Sequence, residues 1–172
     1  ISNHIGTGVI SQDAFGNTTI NRVTTETWTY ANNRPLPEVV QTHTTTIGVD
    51  GTRTESTNRI KYAYDANGRI KTDGTGAEEL AVSLTAFGRT ISNHIGTAAI
   101  SQDTNGNVTE TRSHTLLYEI LKNRALAKTV ETTTDSFAFD GTSSHSVNQL
   151  HYSYDPNTTL LVSAREGTPQ LP

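Results

Sequence analysis

Apolar and polar positions alternate with a period of two along most of this chain, and short turn signals interrupt the alternation. Ile60, Tyr62 and Tyr64 fall on one side of an extended segment, with Arg59, Lys61 and Ala63 on the other. Leu150, Tyr152 and Tyr154 repeat that pattern, and Leu116, Tyr118 and Ile120 share a face, as do Trp28 and Tyr30. Val40, Thr42 and Thr44 continue it, with Val130, Thr132 and Thr134 as the matching set. The apolar pairs Ile47/Val49 and Phe137/Phe139 then change parity, which predicts a β-bulge or bend near residues 45 and 135. A helix is credible only over Ala77 to Ser83, a stretch that also reads as a linker.

The interruptions are turns with an identifiable chemistry. Asp13-Ala14-Phe15-Gly16-Asn17 and Asp103-Thr104-Asn105-Gly106-Asn107 place an Asp that bonds its own downstream backbone ahead of a Gly that accepts positive φ. Ala31-Asn32-Asn33-Arg34-Pro35, Asp50-Gly51, Asp140-Gly141, Asp65-Ala66-Asn67-Gly68 and Asp155-Pro156-Asn157 supply the others. These segments predict strands joined by tight turns, hence an all-β chain arranged as an elongated antiparallel meander or solenoid-like array.

The turns and strands recur. Ile1 to Thr7 (ISNHIGT) returns verbatim at Ile91 to Thr97, followed in both places by Ile-Ser-Gln-Asp, at Ile10 to Asp13 and Ile100 to Asp103. At an offset of about 90 residues, roughly 30 of about 82 aligned positions are identical, without a gap. The reading is two tandem copies of a unit of about 90 residues, 1–90 and a C-terminally truncated 91–172. The chain opens inside the duplicated segment, so it is expected to be a piece of a longer array.

Composition narrows the classes. The hydrophobic share is 33%, which favours thin sheets over a thick core. Net charge is -4 and no basic patch occurs, so nucleic acid is not the expected partner. No apolar run approaches the roughly 20 residues of a membrane-spanning helix, so membrane insertion is not expected. With no cysteine, disulfide scaffolds, thiolate metal sites and cysteine nucleophiles are excluded.

Tyr62-Ala63-Tyr64-Asp65-Ala66-Asn67-Gly68-Arg69-Ile70 resembles the tyrosine-aspartate motif of RHS/YD-repeat proteins, as does Tyr152-Ser153-Tyr154-Asp155. In the second motif Thr158 stands where Gly68 stands in the first. The resemblance implies a large secreted or surface-exposed protein whose repeats wind into long β-sheets, extracellular or at the cell surface. Its structural motif residues are then Tyr62, Tyr64, Asp65, Gly68, Tyr152, Tyr154 and Asp155. The paired rings are expected to pack while their hydroxyls stay wet.

A search for chemistry finds little. Ser2-x-His4 and Ser92-x-His94 offer a hydroxyl and an imidazole on one strand face, but no nucleophile elbow and no third group accompany them. His43, His114, His145 and His151 lack a counterpart in the other copy and read as surface substitutions. Asp65 and Asp155 are weak calcium candidates, missing the rest of a calcium loop. Asn17 and Asn107 head glycosylation sequons at equivalent turns. Trp28, replaced by Tyr118 in the second copy, reads as a core aromatic, with a sugar platform as the alternative. The threonine ladders at Thr42 to Thr46 and Thr132 to Thr134 read as strand preference.

The expectation is therefore a structural or adhesive element, a filament or stalk subunit, without enzymatic activity and without a cofactor. Its partners would be further copies of the repeat, in the same chain or between chains, with surface glycans or other cells as additional targets. The alternatives are a fragment of an RHS-type toxin-encapsulating shell and a carbohydrate-binding module.

Overall fold

The computed structural model describes residues 6–167. Among them every regular element is a strand. β1 (Thr7–Gln12), β2 (Thr18–Ala31), β3 (Arg34–Ile47) and β4 (Arg53–Tyr62) form a meander. β5 (Ala77–Glu79) pairs with the end of β4, and β6 (Ala81–Ala86) and β7 (Arg89–Ile95) form a separate hairpin. β8 (Thr97–Gln102), β9 (Val108–Leu121), β10 (Arg124–Phe137), β11 (Ser143–Tyr154) and β12 (Leu161–Gly167) form a second meander. β8 pairs antiparallel with β4, so both meanders belong to one open sheet running from β1 to β12.

The turns do what their residues dictate. Asn32 and Asn33 both take positive φ (49° and 57°), as do Lys122 and Asn123, which is the two-residue turn whose twist matches that of the flanking strands. Asp13 Oδ1 accepts the amides of Phe15 and Asn17 at 2.9 Å, and Asp103 Oδ1 those of Asn105 and Asn107 at 2.9 and 2.8 Å. Their amide neighbours bind across the turn: Asn17 Oδ1 accepts from Val49 N (3.0 Å) and Asn107 Oδ1 from Phe139 N (2.9 Å).

Two sequence expectations fail here. Ala77–Ser83 is not helical; Ala77 and Glu79 add to β4, and Val82 and Leu84 alternate inward from β6. Seven residues cannot offset the cost of helix nucleation, whereas the β4 edge pairs with Ala77–Glu79 and β7 pairs with Ala81 and Val82. The sheet also has no bulge at 45 or 135. In β2–β3 and β9–β10 the register shifts lie between Thr25 and Trp28 opposite Pro37–Val40, and at Ala127–Val130 opposite Thr115–Tyr118. β3 keeps one parity, so Val39, Thr45 and Ile47 share a face, while Val40, Thr42 and Thr44 occupy the other.

The two faces have distinct compositions. One is covered in its middle by the β6–β7 hairpin, where Val82, Leu84, Ile91, Ala98, Ile100 and Val108 form the hydrophobic core with Ala86 and Phe87 against it. Ile91 and Ile100 are fully enclosed, each contributing roughly 2 kcal/mol by leaving water. The opposite face is a field of hydroxyls. The register aligns Ser11, Thr19, Thr46, Thr54, Ser101, Thr109, Ser136 and Ser144 in one row across β1 to β4 and β8 to β11. Strands about 4.8 Å apart bring such groups into bonding reach: Thr54 Oγ1 and Ser101 Oγ lie 2.9 Å apart. The threonine ladders thus continue sideways through the sheet.

Candidate functional site

The tyrosine-aspartate segments sit at the ends of β4 and β11. Asp65 Oδ1 accepts the amides of Asn67 and Arg69, both at 2.9 Å, and Gly68 closes the turn at φ 77°. Asp155 Oδ1 accepts the amides of Asn157 (2.8 Å) and Thr158 (2.7 Å), and the turn is wider, with Thr159 at φ 62°. The hydroxyl of the second tyrosine in each pair is not left to water. Tyr64 Oη donates to the carbonyl of Pro37 and Tyr154 Oη to that of Ala127, each at 2.8 Å and each beside a register shift. A shifted register turns backbone groups away from the ladder, and the phenols bind there.

Asp65 and Asp155 therefore serve as turn caps. Among the described residues no three His, Asp or Glu side chains gather in a way that would hold a metal ion. Hydrogen bonds, that from Thr158 foremost, hold the Asp155 carboxyl below the usual range. At Asn17 the Nδ2 that a glycan would occupy donates to Asp13 Oδ2 (2.8 Å), and at Asn107 to Asp103 Oδ2 (2.7 Å). Glycan attachment would leave each Nδ2 a single N–H for this bond.

Ser2 and His4 lie outside the described residues. At the later Ser-x-His, Asn93 between Ser92 and His94 takes φ 51°, and the β6–β7 register shifts between Val82 and Leu84. This breaks the alternation that would have put Ser92 and His94 on one face. His94 Nε2 instead lies 3.2 Å from the carbonyl oxygen of Ser113, and burial lowers its pKa.

The covered face carries charge partners that the sequence did not disclose. Glu110 is almost entirely enclosed and receives Arg89 Nε at 2.6 Å and Arg112 at 2.5 Å. Arg112 also reaches Asp135 (2.5 Å), which binds His145 Nδ1 at 2.6 Å. The Arg89 guanidinium lies over the Phe137 ring, 3.5 Å from its centre. Hydrogen bonds from His145 first, then Arg112, hold the Asp135 carboxyl below the usual range. Ninety residues earlier, Glu55 receives Thr45 Oγ1 at 2.6 Å and His43 at 3.1 Å. His43 and His145 lie at the surface and pair there with carboxylates of a neighbouring strand. Periodicity could not show this, because the pairs form between strands.

Trp28 is 54% exposed, so it is not a core aromatic in this structure. Its counterpart Tyr118 is held by Glu79 Oε1 (3.2 Å), and burial pushes its hydroxyl well up. An open hollow at the Asp65 turn is lined by Arg69, Lys71, Asp73, Lys122 and Asn123, and Ile70 N donates to Asn123 Oδ1 there at 2.6 Å. It joins the two meanders through mixed charge. Comparison with family models, curated proteins and solved structures finds no match for this chain.

Proposed function

We propose that this chain is a structural or adhesive extracellular element, built from two copies of a unit of about 90 residues, whose principal partners are further copies of that unit. One observation carries the reading. β8, β9 and β10 begin and end 90 residues after β1, β2 and β3 (Thr97–Gln102 after Thr7–Gln12, Val108–Leu121 after Thr18–Ala31, Arg124–Phe137 after Arg34–Ile47), and β4 joins the two sets edge to edge. A unit that presents the same strand at one edge and accepts it at the other is extendable by design. The polar side chains that invite a chemical reading are engaged in turns and cross-strand pairs. The surface location rests on the resemblance of Tyr62 to Ile70 to RHS/YD repeats.

Electron microscopy of the native material tests this reading. Long fibres or stalks with a regular axial repeat are the expected result. A compact, monodisperse particle as the native form would overturn it.

A further inference from the structure

Between the β6–β7 hairpin and strands β2, β3 and β4 runs a groove of about 480 Å³. Part of its wall is apolar: Ile20 and Ile47 from the sheet, and Leu84, Ala86 and Phe87 from the hairpin. Phe87 reaches the wall from the hairpin turn at φ 49°, a conformation that bulky residues avoid. The rest of the wall is polar, with Arg22, His43, Thr45, Arg53 and Glu55. A second hollow, of about 250 Å³, also has Arg22 and His43 in its wall.

The charges in the groove do not balance. The Glu55 carboxylate is fully engaged: Oε2 receives Thr45 Oγ1 at 2.6 Å and lies 3.1 Å from His43 Nε2, and Oε1 receives Arg53 at 3.2 Å. Arg22, whose side chain is exposed to the groove, has no ion-pair partner among the described residues. The second meander shows what it lacks. Arg112 stands in β9 where Arg22 stands in β2, and it binds Glu110 and Asp135, each at 2.5 Å. The positions in the first meander that match Glu110 and Asp135 hold Ile20 and Thr45. The guanidinium is present in both meanders, and its two carboxylates only in the second. With Arg22 and Arg53 against Glu55 alone, the groove is net positive in a chain whose net charge is -4.

We propose that this groove binds a small organic acid, with its carboxylate on Arg22 and its hydrocarbon body against Ile20, Ile47 and Phe87. The ligand's carboxylate takes the part that Glu110 and Asp135 play for Arg112. A guanidinium presents its N–H donors in a fork that matches a carboxylate. Ile47 is 40% exposed, and a hydrocarbon laid on it takes both surfaces out of water. The groove has the size of a small-molecule site, apolar over part of its wall with a few placed polar groups. A neutral sugar fits it less well, because its hydroxyls would lie against isoleucines and leave the guanidinium unpaired. Binding of this kind goes beyond the structural reading and does not depend on it, since no strand edge and no second chain takes part.

Titration with hydrocinnamate, followed by amide chemical shifts of the full chain, tests the site. Saturable shifts are expected at Ile20, Arg22, Ile47 and Phe87. Hydrocinnamamide, the same body without the charge, should bind about tenfold more weakly. Arg22→Gln should weaken hydrocinnamate binding by about tenfold, and Arg34→Gln, elsewhere on the same meander, should leave it unchanged. Ile20→Glu gives Arg22 an internal carboxylate and should abolish saturable binding, with a thermal melt confirming that the variant folds. The proposal is overturned if hydrocinnamate gives no saturable shifts, if acid and amide bind alike, or if Arg22→Gln keeps the wild-type affinity.

Discussion

At the scale of single residues, the two tyrosine-aspartate turns form a natural experiment. The first ends in Gly68 at φ 77°, while the second places Thr159 at φ 62°. A β-branched residue in the left-handed region costs on the order of 1 kcal/mol, and glycine does not incur that cost. Thr159→Gly should therefore stabilise the chain by about 1 kcal/mol, read as a higher urea midpoint at constant slope. Titration acts at the same scale. Asp103 is half-buried, and its carboxyl is lowered chiefly by the hydrogen bond from Asn107, with the turn amides adding to it. A depressed folded-state value means the contribution is present above the unfolded value of about 3.9 and is lost as pH falls through the folded one. Asp13, Asp50 and Asp140 are lowered in the same sense. Thermal melts should thus fall below about pH 4, and Asp103→Asn should flatten that fall while lowering the melting temperature at neutral pH.

At the scale of strands and hairpins, the contrast between Ile100 and Ile10 isolates what the β6–β7 hairpin does. The two residues stand 90 apart in the same Ile-Ser-Gln-Asp context, yet one is enclosed and the other 73% exposed. Ile100→Ala should cost about 3 kcal/mol, through lost burial and the cavity left behind. Ile10→Ala in the isolated chain should stay within about 0.5 kcal/mol. Chemical denaturation of the two variants checks the pair, and equal losses would mean that the hairpin is not the source of the core. This level also shows where the sequence could be read. Turn chemistry at Asp13, Asn32, Asp50 and Asp65 marked the strand ends, because Asp caps and positive-φ Asn and Gly act locally. The helix expected over Ala77 to Ser83 failed because a strand edge outside that window captured it. No bulge forms near 45 because β3 keeps one parity there, with Ile47 on the covered face and Val40 on the hydroxyl face. Glu110, Arg112 and His145 stayed hidden because Arg89 and Asp135, their partners, lie on other strands, at separations of 21, 23 and 10 residues. The hydroxyl row was visible only as fragments for the same reason.

At the scale of the whole chain, the proposed unit of about 90 residues and the physical packing divide the molecule differently. The boundary at 90/91 falls inside β7, which runs Arg89–Ile95. The six side chains of the core cluster lie between Val82 and Val108, so the duplication boundary cuts through the core. The hairpin belongs energetically with the strands that follow it, as Ile91 packs against Ile100 and Arg89 reaches Glu110 and Phe137. β1 to β4, by contrast, bury Val39, Thr45 and Thr57 but lack a clustered core of their own. In a repeat array, stability is the sum of weak units and strong interfaces, and a unit deprived of its interface does not stand alone. A cut at 76/77 should therefore leave residues 77–172 folded, with dispersed amide resonances and a cooperative melt, and residues 1–76 unfolded. A cut at 90/91 should leave neither piece folded, because it separates β6 from β7. Finding residues 1–90 stably folded would show instead that the duplicated unit is self-sufficient and that the hairpin covers a face which does not need it.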